Sequence, residues 1–223
     1  MPQAIRKKTK KPLTKRTIPG RKRELAFLEQ GQLVAGVDEV GRGAWAGPVV
    51  AAAVILSPDY RIKKVRDSKL LTALERERLA DRIYERSQAV GIGEVSIDDI
   101  NQNGLSWAIK EAGIRAVEAL KLQPDCVLLD GNWNYFASRV ECTTIVDGDA
   151  YELCISAASV IAKVHRDARM RELHHQYPEF NFALNKGYGT KGHQSALREL
   201  GPTPAHRLQW APVVSLLQAE LPI

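Results

Sequence analysis

Hydrophobic residues along this chain fall into two spacings. Residues 33–40, "LVAGVDEV", and 48–56, "PVVAAAVIL", are apolar runs broken only by Asp38 and Glu39. They read as buried strands, close enough for a hairpin-like connection, and Pro58 and Asp59 end the second. Over 72–87 the spacing changes: Leu74, Leu79 and Ile83 share one face among charges, and Thr72 with Glu75 matches a capping box, which predicts a helix. "AVGIGEVS" at 89–96 alternates like a strand. Leu105, Ile109, Ala112, Ala116 and Leu120 mark a second amphipathic helix over 105–121, closed by Pro124. "CVLLDG" (126–131) and "CTTIVDGD" (142–149) are short strands that end in acids, and 152–173 is a long helix. Beyond Tyr177-Pro178 the pattern weakens: "NKGYGTKGH" is a loop, 193–200 a short helix and "APVVSLLQAEL" another. The order β-β-α-β-α-β-β-α predicts the α/β class, a mixed β-sheet flanked by helices.

Composition is that of a globular chain, 44% hydrophobic and 26% charged, with no apolar run approaching a membrane span. No signal peptide is visible, and the location expected is cytoplasmic. Cys126, Cys142 and Cys154 form no CxxC pair and read as free thiols in a reducing compartment, not zinc ligands. The net charge of +6 divides unevenly: residues 1–23 hold ten Lys or Arg and no acid, and the remainder holds 22 basic and 26 acidic residues. A mildly acidic body thus carries a basic arm, expected to be disordered over 1–30. It reads as a phosphate-binding arm, with a solvated tail or a targeting peptide as the alternatives.

The acids at the strand ends carry the candidate chemistry: Asp38-Glu39, Asp130, and Asp147 with Asp149. Singly, each has a plain structural reading as a turn or cap residue. Jointly, carboxylates converging on one sheet edge repel unless a multivalent cation lies between them. An all-oxygen donor set favours Mg²⁺ or Mn²⁺, and two such ions could clamp a phosphodiester. Neighbours in a strand point to opposite faces, so Asp38 and Glu39 are expected to share a site only if the strand bends or ends there, which the "GRG" at 41–43 would allow.

The chain resembles ribonuclease HII, the type 2 ribonuclease H. The matching segments are "AGVDEVGRGAWAGPVVAAAVIL" (35–56), "DSKLLT" (67–72), "VLLDGN" (127–132), "GDAYELCISAASVIAKVHRDARM" (148–170), "KGYGT" (186–190), and "HR" followed by "AP" (206–212). The resemblance implies an RNase H-like core over 31–178 with a C-terminal helical extension over 179–223. It implies hydrolysis of the RNA strand of RNA–DNA hybrids and incision 5′ of ribonucleotides embedded in duplex DNA, leaving 3′-OH and 5′-phosphate ends. Asp38, Glu39, Asp130 and Asp149 carry over as the catalytic and metal-binding acids. Asp38 is expected to bridge two ions, Glu39 and Asp130 to serve the leaving-group side, and Asp149 the attacking water. Gly41, Arg42 and Gly43 correspond to the loop that reads the 2′-hydroxyl, and Tyr188 to the tyrosine that stacks at the RNA–DNA junction. Lys69 and Lys186 are expected to contact the backbone, and Asp147 and Asp167 are secondary candidates. His165, His174, His175 and His193 are expected at the surface or in loops. A monomer without membrane contact is expected.

Two positions depart from the family pattern. Asp147 stands where Lys is usual, and Gln209-Trp210 stands where Ser-Phe is usual. The related type 3 enzyme, with Gly-Lys-Gly in the loop, and a non-catalytic nucleic-acid-binding protein of the same fold are the rivals. A dinucleotide fold is excluded, since 41–47 reads Gly-x-Gly-x-x-x-Gly.

Overall fold

The computed structural model describes residues 18–59, 72–136 and 139–218. Among them, strands β1 (Val34–Val40), β2 (Val49–Leu56), β3 (Ser87–Val95), β4 (Cys126–Asp130) and β5 (Glu141–Ile145) form one sheet in the order β3-β2-β1-β4-β5. β1 and β3 flank β2 antiparallel, whereas β4 runs parallel to β1 and β5 parallel to β4. The helices are α1 (Lys22–Leu28), α2 (Ala73–Arg86), α3 (Ile97–Asn103), α4 (Leu105–Glu118), α5 (Gly148–Tyr151), α6 (Leu153–Gln176), α7 (Phe182–Asn185), α8 (Lys191–Leu200) and α9 (Ala211–Gln218).

Two apolar layers hold the sheet. On one face α6 and α2 pack over Val34, Val54 and Leu128; on the other α4 packs over Val37, Ile55 and Leu129. β2 lies between covers, so all eight of its residues are buried, which is why its sequence shows no alternation. The capping box at Thr72 is present, with Glu75 N–H donating to Thr72 Oγ1 at 3.3 Å and Thr72 N–H to Glu75 at 2.9 Å. A third, smaller core joins Ala46 and Met170 to Phe180, Phe182, Leu197 and Val213, docking the C-terminal extension on the far half of α6.

Four expectations need correction. Residues Lys22–Leu28 of the arm form a helix, because two buried acids recruit its charges. Arg21 pairs with Glu24 at 2.7 Å and Arg23 with Glu152 at 2.8 Å. Residues 1–17 lie outside the described residues. The strand expected over 142–149 stops at Ile145, since Asp147 turns the chain with φ 55° and α5 follows. The hydrophobic pattern predicts no element at α3, a short polar helix capped by Ser96 that buries only Ile100. His193 is not a surface residue: it is buried against His206, with Nε2···Nε2 at 3.1 Å.

The His pair fixes its own tautomers. The Thr203 amide donates to His206 Nδ1 at 2.9 Å, so His206 donates from Nε2 to His193 Nε2, and His193 Nδ1 donates to the Tyr188 carbonyl at 3.0 Å. This chain needs both rings neutral. Burial lowers the pKa of His193, and burial with the His193 charge lowers that of His206 to about 4. The unfolded rings titrate near 6.5, so the unfolded state takes up more protons as pH falls below that value. Stability is therefore lost from about pH 6.5 down to about pH 4. Across that window the melting temperature of His193→Gln should fall less steeply than that of the parent; an equal slope would mean that the pair does not titrate there.

Candidate active site

The acids collect where β1 and β4 part. Parallel pairing between these strands ends at Val37↔Leu129, and Asp38 and Asp130 are the next residues on each. β1 then continues alone beside β2 in regular register through Val40↔Val50. The bend expected at Asp38-Glu39 is thus absent, because β2 holds β1 straight. Alternation sends Asp38 to the α6 face and Glu39 to the α4 face. Ser159 of α6 hydrogen-bonds the Asp38 carboxylate on one side, and on the other half-buried Tyr135 feels the charge of Glu39 more than that of Asp38. Asp130 lies within electrostatic reach of both.

Asp130 is anchored by the Gly148 amide, which donates to its Oδ1 at 2.7 Å. That bond draws α5 against the end of β4, so Asp149 enters from the first turn of a helix, 7% exposed. Asp38 is also 7% exposed, and its Oδ1 accepts the Glu39 amide at 2.8 Å. Burial, then the charges of Asp130, Glu39 and Asp149, push the Asp38 carboxyl well above the usual carboxylate range, with Ser159 opposing. Burial and Asp130 also raise Glu39, against the pull of Arg42.

Among the described residues no three His, Cys, Asp or Glu side chains close into a ready-made cation cage. The donors nevertheless suit a hard divalent ion. They are all carboxylates, and Asp38 and Glu39 among them are penalised by burial and by the charge of Asp130. A cation between them would remove the repulsion that now raises Asp38.

The remaining candidates divide. Arg42 and Gly43 are exposed, and Tyr188 stands beside them: a Cβ placed on Gly43 would lie 3.9 Å from Tyr188 Cε1. Lys186 takes φ 54°, and its Nζ donates to the Ala183 carbonyl at 2.6 Å, which ties it to its own loop. Lys69 lies outside the described residues. Asp147 is exposed and is not among the charges that raise Asp38. Its left-handed backbone accounts for it, since Asp tolerates that region better than most residues. Asp167 is buried in ion pairs with Lys163 and with Arg76 of α2, which joins two helices and gives it a structural task.

Three residues with no role in the sequence reading stand out here. Ser159 holds Asp38. Arg166 and Arg207, both fully buried, hold the 41–48 loop. All three lie inside the motif segments, but a serine in an Ala-rich helix and an arginine beside an acid look like ordinary helix residues. Burial and the Arg166 charge lower Arg207 to about 9, so it stays protonated at neutral pH.

The family model for ribonuclease HII matches residues 35–213. A ribonuclease HII from Koribacter versatilis is 50% identical over 192 residues, covering 85% of this chain and 74% of the relative. Among solved structures, ribonuclease H2 from Pyrococcus horikoshii OT3 superposes with a TM-score of 0.72 at 24% identity, covering 83% of this chain and 97% of the other. Bst-RNase HIII in complex with Mn²⁺ superposes with a TM-score of 0.67 at 20% identity, over 84% and 70% of the two chains. These share the mixed sheet and the flanking helices. The chain belongs to the ribonuclease HII family, a family of hydrolytic nucleases.

Proposed function

We propose that this protein cuts the RNA strand of RNA–DNA hybrids and incises duplex DNA on the 5′ side of an embedded ribonucleotide, leaving 3′-OH and 5′-phosphate ends. The observation that carries this reading is the pairing of two features at one sheet edge. A buried carboxylate, Asp38, lies among Asp130, Glu39 and Asp149, and an exposed Arg42-Gly43 turn begins three residues beyond Glu39.

Asp38, Glu39, Asp130 and Asp149 would hold two Mg²⁺ or Mn²⁺ ions. Such ions supply a hydroxide at neutral pH and stabilise the leaving oxygen of an in-line displacement. That Bst-RNase HIII forms a complex with Mn²⁺ is in keeping with a divalent requirement. The protein's own share is positional. Ser159 and the Glu39 amide fix Asp38, and the Gly148 amide fixes Asp130. The Arg42 and Gly43 amides face a ribose, where the 2′-OH separates RNA from DNA. The Arg42 guanidinium pairs with a phosphate, and Tyr188 stacks on the junction. No helix among the described residues is long and apolar enough to cross a membrane. A monomeric cytoplasmic enzyme fits this reading.

The test uses a labelled DNA duplex with one internal ribonucleotide, with an all-DNA duplex of the same sequence as control. In Mg²⁺ or Mn²⁺ the first should be nicked 5′ of the ribonucleotide and the second left whole, and EDTA should stop the reaction. The same ions should raise the melting temperature by relieving the carboxylates. Equal cutting of both duplexes, or none with either metal, would sink the reading.

A further inference from the structure

Two guanidinium groups lie wholly inside this protein, at 0% exposure for Arg166 and 1% for Arg207. Burying a charge is expensive and is ordinarily answered by a carboxylate. Here, among the described residues, every hydrogen bond that either group makes goes to a backbone carbonyl. Arg207 donates from Nε to Gly47 at 3.0 Å, and from its two terminal nitrogens to Gly41 at 2.6 Å, Arg42 at 3.3 Å, Gly47 at 2.8 Å and Pro48 at 3.0 Å. Arg166 donates to Pro48 at 2.9 Å, Ala46 at 3.1 Å and Lys186 at 2.9 Å, and its guanidinium lies over the Tyr188 ring at 5.8 Å.

The consequence is directional. A fork that gathers the Gly41 and Arg42 carbonyls inward leaves the amides of the same turn facing out. Among the described residues the Arg42 and Gly43 amides donate to no backbone carbonyl, whereas those of Ala44, Trp45, Ala46 and Gly47 all do. Of the amides of this turn, those of Arg42 and Gly43 are therefore the exposed ones without a backbone acceptor. Only a planar, five-donor guanidinium can collect four carbonyls at once; a lysine is a point charge with three donors.

We propose that Arg207 is the positioning residue of the ribose-reading turn, and that Arg166 locks the Tyr188 loop to the same frame. This rests on the reading of Gly41–Gly43 given above. Arg207 touches no substrate; it acts by holding the Arg42 and Gly43 amides outward. Asn101 of α3 supports it from outside, donating to the His206 carbonyl at 3.1 Å and accepting the Leu208 amide at 2.8 Å, one residue either side.

The experiment compares wild type, Arg207→Lys and Asn101→Ala, the last leaving the buried charge in place. Binding to the one-ribonucleotide duplex and to the all-DNA duplex is followed by fluorescence anisotropy. Ca²⁺ replaces Mg²⁺ so that the strand stays whole, and each protein is held well below its own melting temperature. For Arg207→Lys the preference for the ribonucleotide duplex should fall about tenfold, the scale of one lost hydrogen-bonding contact, with all-DNA affinity unchanged. Asn101→Ala should move the same way by less. General loosening would weaken both duplexes alike and leave their ratio intact, which overturns the proposal. So does a preference that survives both substitutions within about twofold. A wild-type protein that binds both duplexes equally overturns the reading of the turn itself, and this inference with it.

Discussion

Asp38→Asn should end cleavage without unfolding the protein, and above neutral pH in EDTA it should melt no lower than the parent. The two halves of this result come from one cause. Asp38 is 7% exposed, and burial with the charges of Asp130, Glu39 and Asp149 raises its pKa. A carboxyl whose folded pKa lies above its unfolded value favours the folded state when protonated. As pH rises from the unfolded value through the folded one, the unfolded state releases its proton first, and stability is lost. Above that window the cost is complete. Asparagine has the same shape, still accepts the Glu39 amide, and carries no charge to be penalised. The stability gap between Asp38→Asn and the parent should therefore widen with pH in EDTA and close as pH falls below the usual carboxylate range. Addition of Mg²⁺ or Mn²⁺ should raise the parent's melting temperature and leave the variant's nearly unmoved. Loss of the central anionic ligand should lower kcat by ~10³-fold or more, the scale of removing a principal electrostatic contact in a closed site. A variant with near-parental kcat in saturating Mg²⁺ would show that Asp38 is not a ligand.

The site was legible in the sequence where chemistry and hydrophobic pattern coincide. Asp38, Glu39 and Asp130 interrupt or end apolar runs, and a charge in such a run has few structural excuses; the structure puts all three at the fork between β1 and β4. The reason they meet was not legible. A bend or an end of the strand at Glu39 looked necessary because local alternation separates neighbours. What gathers them is the parting of β1 from β4, a long-range event, while β2 keeps β1 regular to Val40. Asp147 shows the limit from the other side. Its charge looked important beside Asp149, but its backbone sits in the left-handed region and its side chain is exposed. Backbone handedness leaves little trace when the residue is not glycine.

The two buried arginines were harder still, because their partners are carbonyls, and every residue has one. Nothing in "HRDARM" or "HR" says that a guanidinium faces Pro48 across more than a hundred residues. The helices behaved in proportion to their length and polarity. α2 and α4 bury an apolar stripe and were visible; α3 buries one isoleucine and was not. The last stretch of the arm, residues 21–28, misled through charge alone: a run of cations reads as solvated unless the acids that receive them, Glu24 and Glu152, are known to be buried.

Gly36→Ala should be among the costliest single methyl groups that can be added to this protein. Gly36 is buried in the middle of β1, where glycine weakens a strand by about 0.5–1 kcal/mol relative to alanine. Its place is explained by α6. A Cβ at Gly36 would lie 2.2 Å from the Cys154 carbonyl carbon, 2.5 Å from Ile155 N and 2.6 Å from Cys154 O. These are backbone atoms in the first turn of a helix, so no rotamer can yield and α6 itself must lift from the sheet. Overpacking of this kind costs ~3 kcal/mol or more. For a domain of this size that lowers the melting temperature by roughly 10 °C. The damage also reaches the site. α6 carries Ser159, which holds the Asp38 carboxylate, and Arg166, which holds the Ala46 and Pro48 carbonyls. Lifting its first turn moves Ser159 away from β1, so kcat should fall even at temperatures where the variant is fully folded. Gly192→Ala is the matched control. Gly192 lies in α8 with nothing within 4 Å of an added Cβ, and there alanine should be neutral or stabilising by up to ~1 kcal/mol. If Gly36→Ala melts within about 2 °C of the parent, less than 1 kcal/mol, then α6 does not rest on β1 at the distance described, and Ser159 cannot be what fixes Asp38.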